Sequence, residues 1–145
     1  MSAREDIAKN IVEQLENMND PAPGLVSRVF FDVSKLAITQ FPAILVVTNN
    51  EVRDDISMNA RQGVIQYELR CYVRGTEVDT LRNEIIERVE ETLELSRDRD
   101  ITLAVANIHN VKTQVRNIDV VDRELPLGEC VITVDVKYTY KKGVL

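Results

Sequence analysis

The chain has 145 residues, 44% hydrophobic and 29% charged, enough apolar content for one domain to bury roughly two thirds of the surface its unfolded form exposes. Five Gly and four Pro exclude a collagenous or low-complexity protein. The 18 Lys and Arg against 24 Asp and Glu leave a net charge of −6, the wrong sign for holding nucleic acid by neutralising phosphates.

Residues Met1–Asp6 carry no apolar h-region, so no signal peptide is expected. Ser2 and Glu5 have the spacing of a capping box, and Ile7, Ile11, Leu15 and Met18 recur at helical spacing. They predict a first helix over residues 3 to 18, stopped by Asn19-Asp20-Pro21-Ala22-Pro23-Gly24. A β-rich stretch is expected from Val26 to Val33. Phe41 to Thr48 is apolar on both faces, as in a strand covered on both sides, with Pro42 confined to its start or to an edge. Its run of seven apolar residues is too short to cross a bilayer, so no membrane is expected among the partners.

Asn49 to Gly63 shows no clear period and reads as a long polar loop. Next, Ile65, Tyr67, Leu69, Cys71 and Val73 alternate with polar residues, the pattern of a half-buried strand. After Gly75, Thr76 is placed to cap a second helix along Val78, Leu81, Ile85, Val89 and Leu93. Between Thr76 and Asp100 lie nine carboxylates against four arginines, so this helix carries most of the net charge, with Glu84 spaced to pair with Arg88. Ile101 to His109 fits strand or short helix. Val111 to Val121 reads as a strand, Asp122–Glu129 as a turn, and Ile132, Val134, Val136, Tyr138 and Tyr140 mark a final strand that makes a hairpin with the one before. Two principal α-helices among strand-rich blocks, without strict βαβ alternation, predict an α+β fold with a mainly antiparallel sheet and a single domain, 1–145.

Catalytic signatures are missing from the sequence. His109 is the one histidine, and no G-x-S-x-G, H-E-x-x-H or phosphate-binding glycine loop occurs. Cys71 falls on an apolar strand face, where a thiol behaves as a small hydrophobe. It lies far from Cys130 in sequence, which supports no disulfide framework and fits a reducing, intracellular setting. Asp54-Asp55 and Asp98-x-Asp100 could each offer oxygen ligands to a divalent ion, but neither follows a calcium-loop spacing and a solvated acidic surface explains them. Lys141-Lys142 after Tyr138 and Tyr140 is a short basic-aromatic end. No cofactor and no enzyme activity are expected. The candidate site is instead the long loop, where Arg53, Asp54, Asp55 and Arg61 would give polar registration around apolar Ile56 and Met58 at an assembly interface.

The order of these features resembles the tail terminator proteins of long-tailed bacteriophages. It runs through the N-terminal amphipathic helix, Phe30-Phe31-Asp32, the Phe41-Pro42-Ala43-Ile44-Leu45-Val46 strand, the long loop, the Gln66 to Val73 strand, the acidic helix and the closing Val131 to Tyr140 strand. The resemblance implies a structural protein of the virion neck, assembled in the host cytoplasm. Such a protein forms a homohexameric ring on the tail tube protein, stops tube growth and meets the head–tail connector protein, with DNA passing through unbound. Alternatives are another neck or tail-completion protein, a small regulatory ligand-binding domain, or a metal-dependent enzyme using the paired aspartates.

Overall fold

The computed structural model describes residues 3–56, 58, 60–95 and 108–141. Helix α1 (Ala3–Glu16) leads through a short strand β1 (Leu25–Ser27) and two single-turn 3-10 helices, at Val33–Lys35 and Ile38–Gln40, to β2 (Ala43–Asp55) and β3 (Ala60–Arg74). Helix α2 (Val78–Leu95) follows, then β4 (Ile108–Val121) and β5 (Leu127–Lys141). The five strands form one sheet in the order β1-β2-β3-β5-β4, in which β1 runs parallel to β2 and the other pairs are antiparallel. This is an α+β fold with a mainly antiparallel sheet, and β4 and β5 make the expected hairpin.

Both helices lie on one face of the sheet, because each carries one apolar stripe and the strands present one alternate set of apolar residues. Ile7, Ile11 and Leu15 of α1 and Ile85, Val89 and Leu93 of α2 are buried against Ile65, Tyr67, Leu69, Cys71, Ile132, Val134, Val136 and Tyr138. On the opposite face Phe31, Val33, Leu36 and Phe41 pack on Ala43, Leu45 and Tyr72 at one end of the sheet. There Phe31 meets Tyr72 edge-on at 5.8 Å. The expectation for Phe41 to Thr48 holds over Ala43 to Val46, all four buried with cover on both faces, while Phe41, Pro42, Val47 and Thr48 at the ends are half-buried.

Several local expectations change. From Val26 to Val33 only the first two residues are strand. The Asp32 carboxylate accepts from the Ser34 N–H and hydroxyl, and the Val29 N–H donates to Ser27 Oγ, local bonds that compete with a ladder. The capping-box Ser2 lies outside the described residues, and the Glu5 carboxylate is held by Arg28 at 2.7 and 3.0 Å. Helix α2 starts one residue later than Thr76 would cap, since Glu77 C=O accepts the first helical bond, from Leu81. Arg88 pairs with Glu91 rather than Glu84, and its Nε donates to the Asp20 carbonyl. Asp98, Asp100 and most of Ile101–His109 lie outside the described residues, although Ile108 and His109 open β4. Tyr138 and Tyr140 are buried core residues rather than members of a surface patch.

Candidate functional site

The largest departure from the sequence reading is at Asn49–Gly63, which is ladder over most of its length. Strand β2 pairs with β3 as far as Asp55 opposite Arg61, and the Ile56 N–H donates to the Ala60 carbonyl to close the turn. The apparent loop is the outer end of the β2–β3 hairpin, here called the arm, with β5 paired to β3 along it as far as Lys141 opposite Ala60. A bulge between Thr48 and Glu51 inserts one extra residue into β2, so Thr48 faces Tyr67 while Glu51 faces Ile65. The slip sends Glu51 to the helix side of the sheet.

Glu51 is the anchor of the arm. Its side chain is 7% exposed and contacts Arg4 Nε at 3.1 Å and Arg53 Nε at 2.5 Å. It also accepts a 2.6 Å hydrogen bond from the Tyr138 hydroxyl. Burial, and then that bond, push the Tyr138 phenol well above its ordinary range, so it stays a donor at neutral pH. The hydrogen bond to Glu51 likewise raises Arg53, whose guanidinium sits 5.5 Å over the Tyr140 ring. Tyr138 and Tyr140 stack with centroids 5.6 Å apart. Gly63 fits beneath them because a Cβ there would lie 2.6 Å from Tyr138 Cζ.

Beyond this anchor stand the residues picked from the sequence. Asp55 pairs with Arg61 across the ladder at 2.9 Å. Asp54 opposes Gln62, one position along, so the pleat sends the two aspartates to opposite faces. They cannot act as one ligand set, and among the described residues no cluster of three or more His, Cys, Asp or Glu could hold a metal ion. Ile56 is 53% exposed and Met58 90% exposed, with Val52 at 56% nearby. The structure thus brings Arg53, Asp55, Arg61, Ile56 and Met58 onto one arm as flanking ion pairs and an apolar tip. Arg53 turns back to the anchor instead of lying free for an interface. Sequence reasoning missed Glu51, Gly63, Arg4 and the two tyrosines as the parts that hold the arm.

Two open clefts can also be outlined among the described residues. One, of about 290 Å³, is lined by Arg4, Glu5, Arg28 and Thr48, and its cations are engaged by Glu51 and Glu5. The other, of about 170 Å³, lies between the Pro21 to Pro42 segment and the start of α2. Neither gathers a nucleophile with a base. No helix among the described residues is long and apolar enough to cross a membrane. The chain matches no protein-family model and no curated protein.

Proposed function

We propose that the chain is a phage tail terminator: copies close into a homohexameric ring on the end of the tail tube, end its polymerisation and form the joint to the head connector. The observation that carries this reading is the arm. A hairpin anchored through a nearly buried carboxylate holds Ile56 and Met58 out in water, and exposed apolar groups on a fixed element gain free energy only when a partner covers them. The feature order described above and the absence of catalytic signatures in the sequence support the same role. A net charge of −6 suits a conduit through which DNA passes unbound, in the neck of a virion assembled in the host cytoplasm.

The test mixes purified protein with tail tubes and scores capped ends by electron microscopy. Wild type is expected to cap the tubes and to self-associate on them. The double variant Ile56→Asp with Met58→Asp is expected to keep its melting temperature to within a few degrees, since Met58 lies in solvent and Ile56 is more than half exposed, and to lose capping. Wild-type protein that stays monomeric at high concentration and ignores tube ends overturns the reading. A double variant that caps as wild type removes the arm from it.

A further inference from the structure

The chain's two cysteines are neighbours in space. Cys71 on β3 stands directly opposite Cys130 on β5 in the central pair of the sheet, both fully buried and both free thiols. Residues opposite one another in an antiparallel ladder have Cα atoms about 4.5 or 5.5 Å apart. A disulfide spans roughly 4.4–6.8 Å between Cα atoms. The register therefore places the two Cα atoms within the span of a bridge, and closing it asks the Cβ atoms to approach from the roughly 4.5–5.5 Å usual for an opposed pair to about 4 Å.

We propose that Cys71 and Cys130 form an oxidisable dithiol, a modification site that closes into a cross-strand disulfide with a peroxide as the oxidant. The two thiols are unequal. The Cys71 Sγ–H donates to the Leu69 carbonyl at 3.9 Å; closeness to Cys130 and burial push Cys71 up, whereas closeness to Cys71 draws Cys130 down against burial, with Arg82 on α2 also favouring its thiolate. In the balanced step Cys130 is the attacking sulfur. Its thiolate attacks one peroxide oxygen, the O–O bond breaks, and hydroxide leaves and takes a proton as water, giving a sulfenic acid. Cys71 then loses its proton and attacks the Cys130 sulfur; the S–S bond forms and the sulfenic oxygen departs as a second water. Two thiols lose two electrons and one peroxide becomes two waters.

Access is through the first turn of α2. Gly128, two residues before Cys130, has no room for a Cβ, which would sit 2.2 Å from Val78 Cγ1, so this turn lies against the end of the strand pair. Helix ends open locally far more often than a domain unfolds. Once formed, the bridge closes a loop that contains α2 and β4, and loop closure of that length raises the melting temperature by roughly 10 °C. Under the function proposed above, a subunit assembled in a reducing cell and then released meets oxidising surroundings, so the bond would staple the sheet after assembly. That timing rests on the functional reading; the bond itself does not.

The experiment treats the full chain with hydrogen peroxide and counts thiols in denaturant. Both thiols are expected to disappear together, the mass to fall by two hydrogens, and the melting temperature to rise, all reversed by dithiothreitol. In the Cys71→Ser variant a sulfenic-acid trap should label Cys130, with no gain in melting temperature. Two thiols that persist after treatment, oxidation beyond sulfenic acid without a bridge, or a bridge between two chains would each overturn the proposal. Tail-tube capping scored on the same oxidised and reduced samples reports on the ring reading alone. If neither form caps, that reading and the timing fall and the dithiol stands.

Discussion

Gly63→Ala is the sharpest probe of how the arm is held. A methyl group at this position would lie 2.6 Å from Cζ, 2.7 Å from Cε1 and 2.8 Å from the hydroxyl oxygen of Tyr138. The ring cannot simply swing away, because it stacks on Tyr140 and its hydroxyl is committed to Glu51. Overpacking of this kind costs about 1–3 kcal/mol. A hydrogen bond to a charged group contributes about 1.5–3 kcal/mol, part of which is lost when the ring shifts. We expect a total loss of about 3 kcal/mol by urea denaturation, with an unchanged m-value. The sign should reverse once the ring is removed. In a Tyr138→Leu background the alanine meets no aromatic edge, and replacing glycine within a strand then stabilises by roughly 0.5–1 kcal/mol. A loss below about 0.5 kcal/mol in the wild-type background, or the same loss in both backgrounds, would refute the packing argument.

Leu69→Ala, at a fully buried position under the helices, should cost about 3 kcal/mol, and the exposed Lys137→Ala well under 1 kcal/mol; equal losses in urea melts would show the strand registers to be wrong. Glu51→Leu leaves the Tyr138 hydroxyl without its acceptor and Arg4 and Arg53 without their carboxylate. It should cost about 2 kcal/mol, less than a fully buried pair because both arginines keep water contact. Two carboxyls sit below their ordinary values, Glu5 through its hydrogen bond from Arg28 and Asp32 through bonds from Ser34. Their stabilisation is complete above the unfolded value near 4 and is lost as pH falls through the depressed native ones. The melting temperature should therefore hold from about pH 7 to 5 and drop below about 4, less steeply in Glu5→Gln and Asp32→Asn.

What could be read from the sequence follows from where the apolar layer lies. The strand faces of Ile65–Val73 and Ile132–Tyr140 alternate because helices cover one side of them, and the helices themselves are legible in their stripes. Residues 49–63 were misread for two physical reasons. The bulge places both Thr48 and Glu51 on the helix side, breaking the two-residue period, and past Glu51 the residues Val52 to Asp55 are all exposed, so β2 carries no alternation there. The turn itself was drawn far too long for the same cause. Val26–Val33 has strand-like composition, but Ser27 and Asp32 supply local bonds that a propensity count does not weigh. The Cys71–Cys130 pair was hidden because it depends on the register of β3 against β5, and alternation fixes which face a residue takes without fixing its partner. Of the candidate site, Ile56 and Met58 could be picked out as apolar side chains in a polar stretch. Glu51 could not, since a lone glutamate in a charged run gives no sign of being nearly buried.

The change from loop to arm also alters what a partner must overcome. Ordering a free loop costs about 1–2 kcal/mol for each residue fixed, which over a stretch this long is several times what two apolar side chains return. In the hairpin that ordering is already met by the ladder with β3 and by the Glu51 anchor, leaving only side-chain freedom at Ile56 and Met58, about 0.5–1.5 kcal/mol each. Full burial of such side chains returns about 1.5–3 kcal/mol apiece. The balance is modest for one subunit and would multiply in the proposed ring, where repeated contacts act at high effective concentration. It follows that the arm cannot be tested cleanly by cutting out residues 51 to 60. That deletion removes Glu51 and Arg53 together with the tip, so lost capping would report a damaged anchor as readily as a missing contact. Substitution at Ile56 and Met58 alone keeps the anchor and isolates the surface.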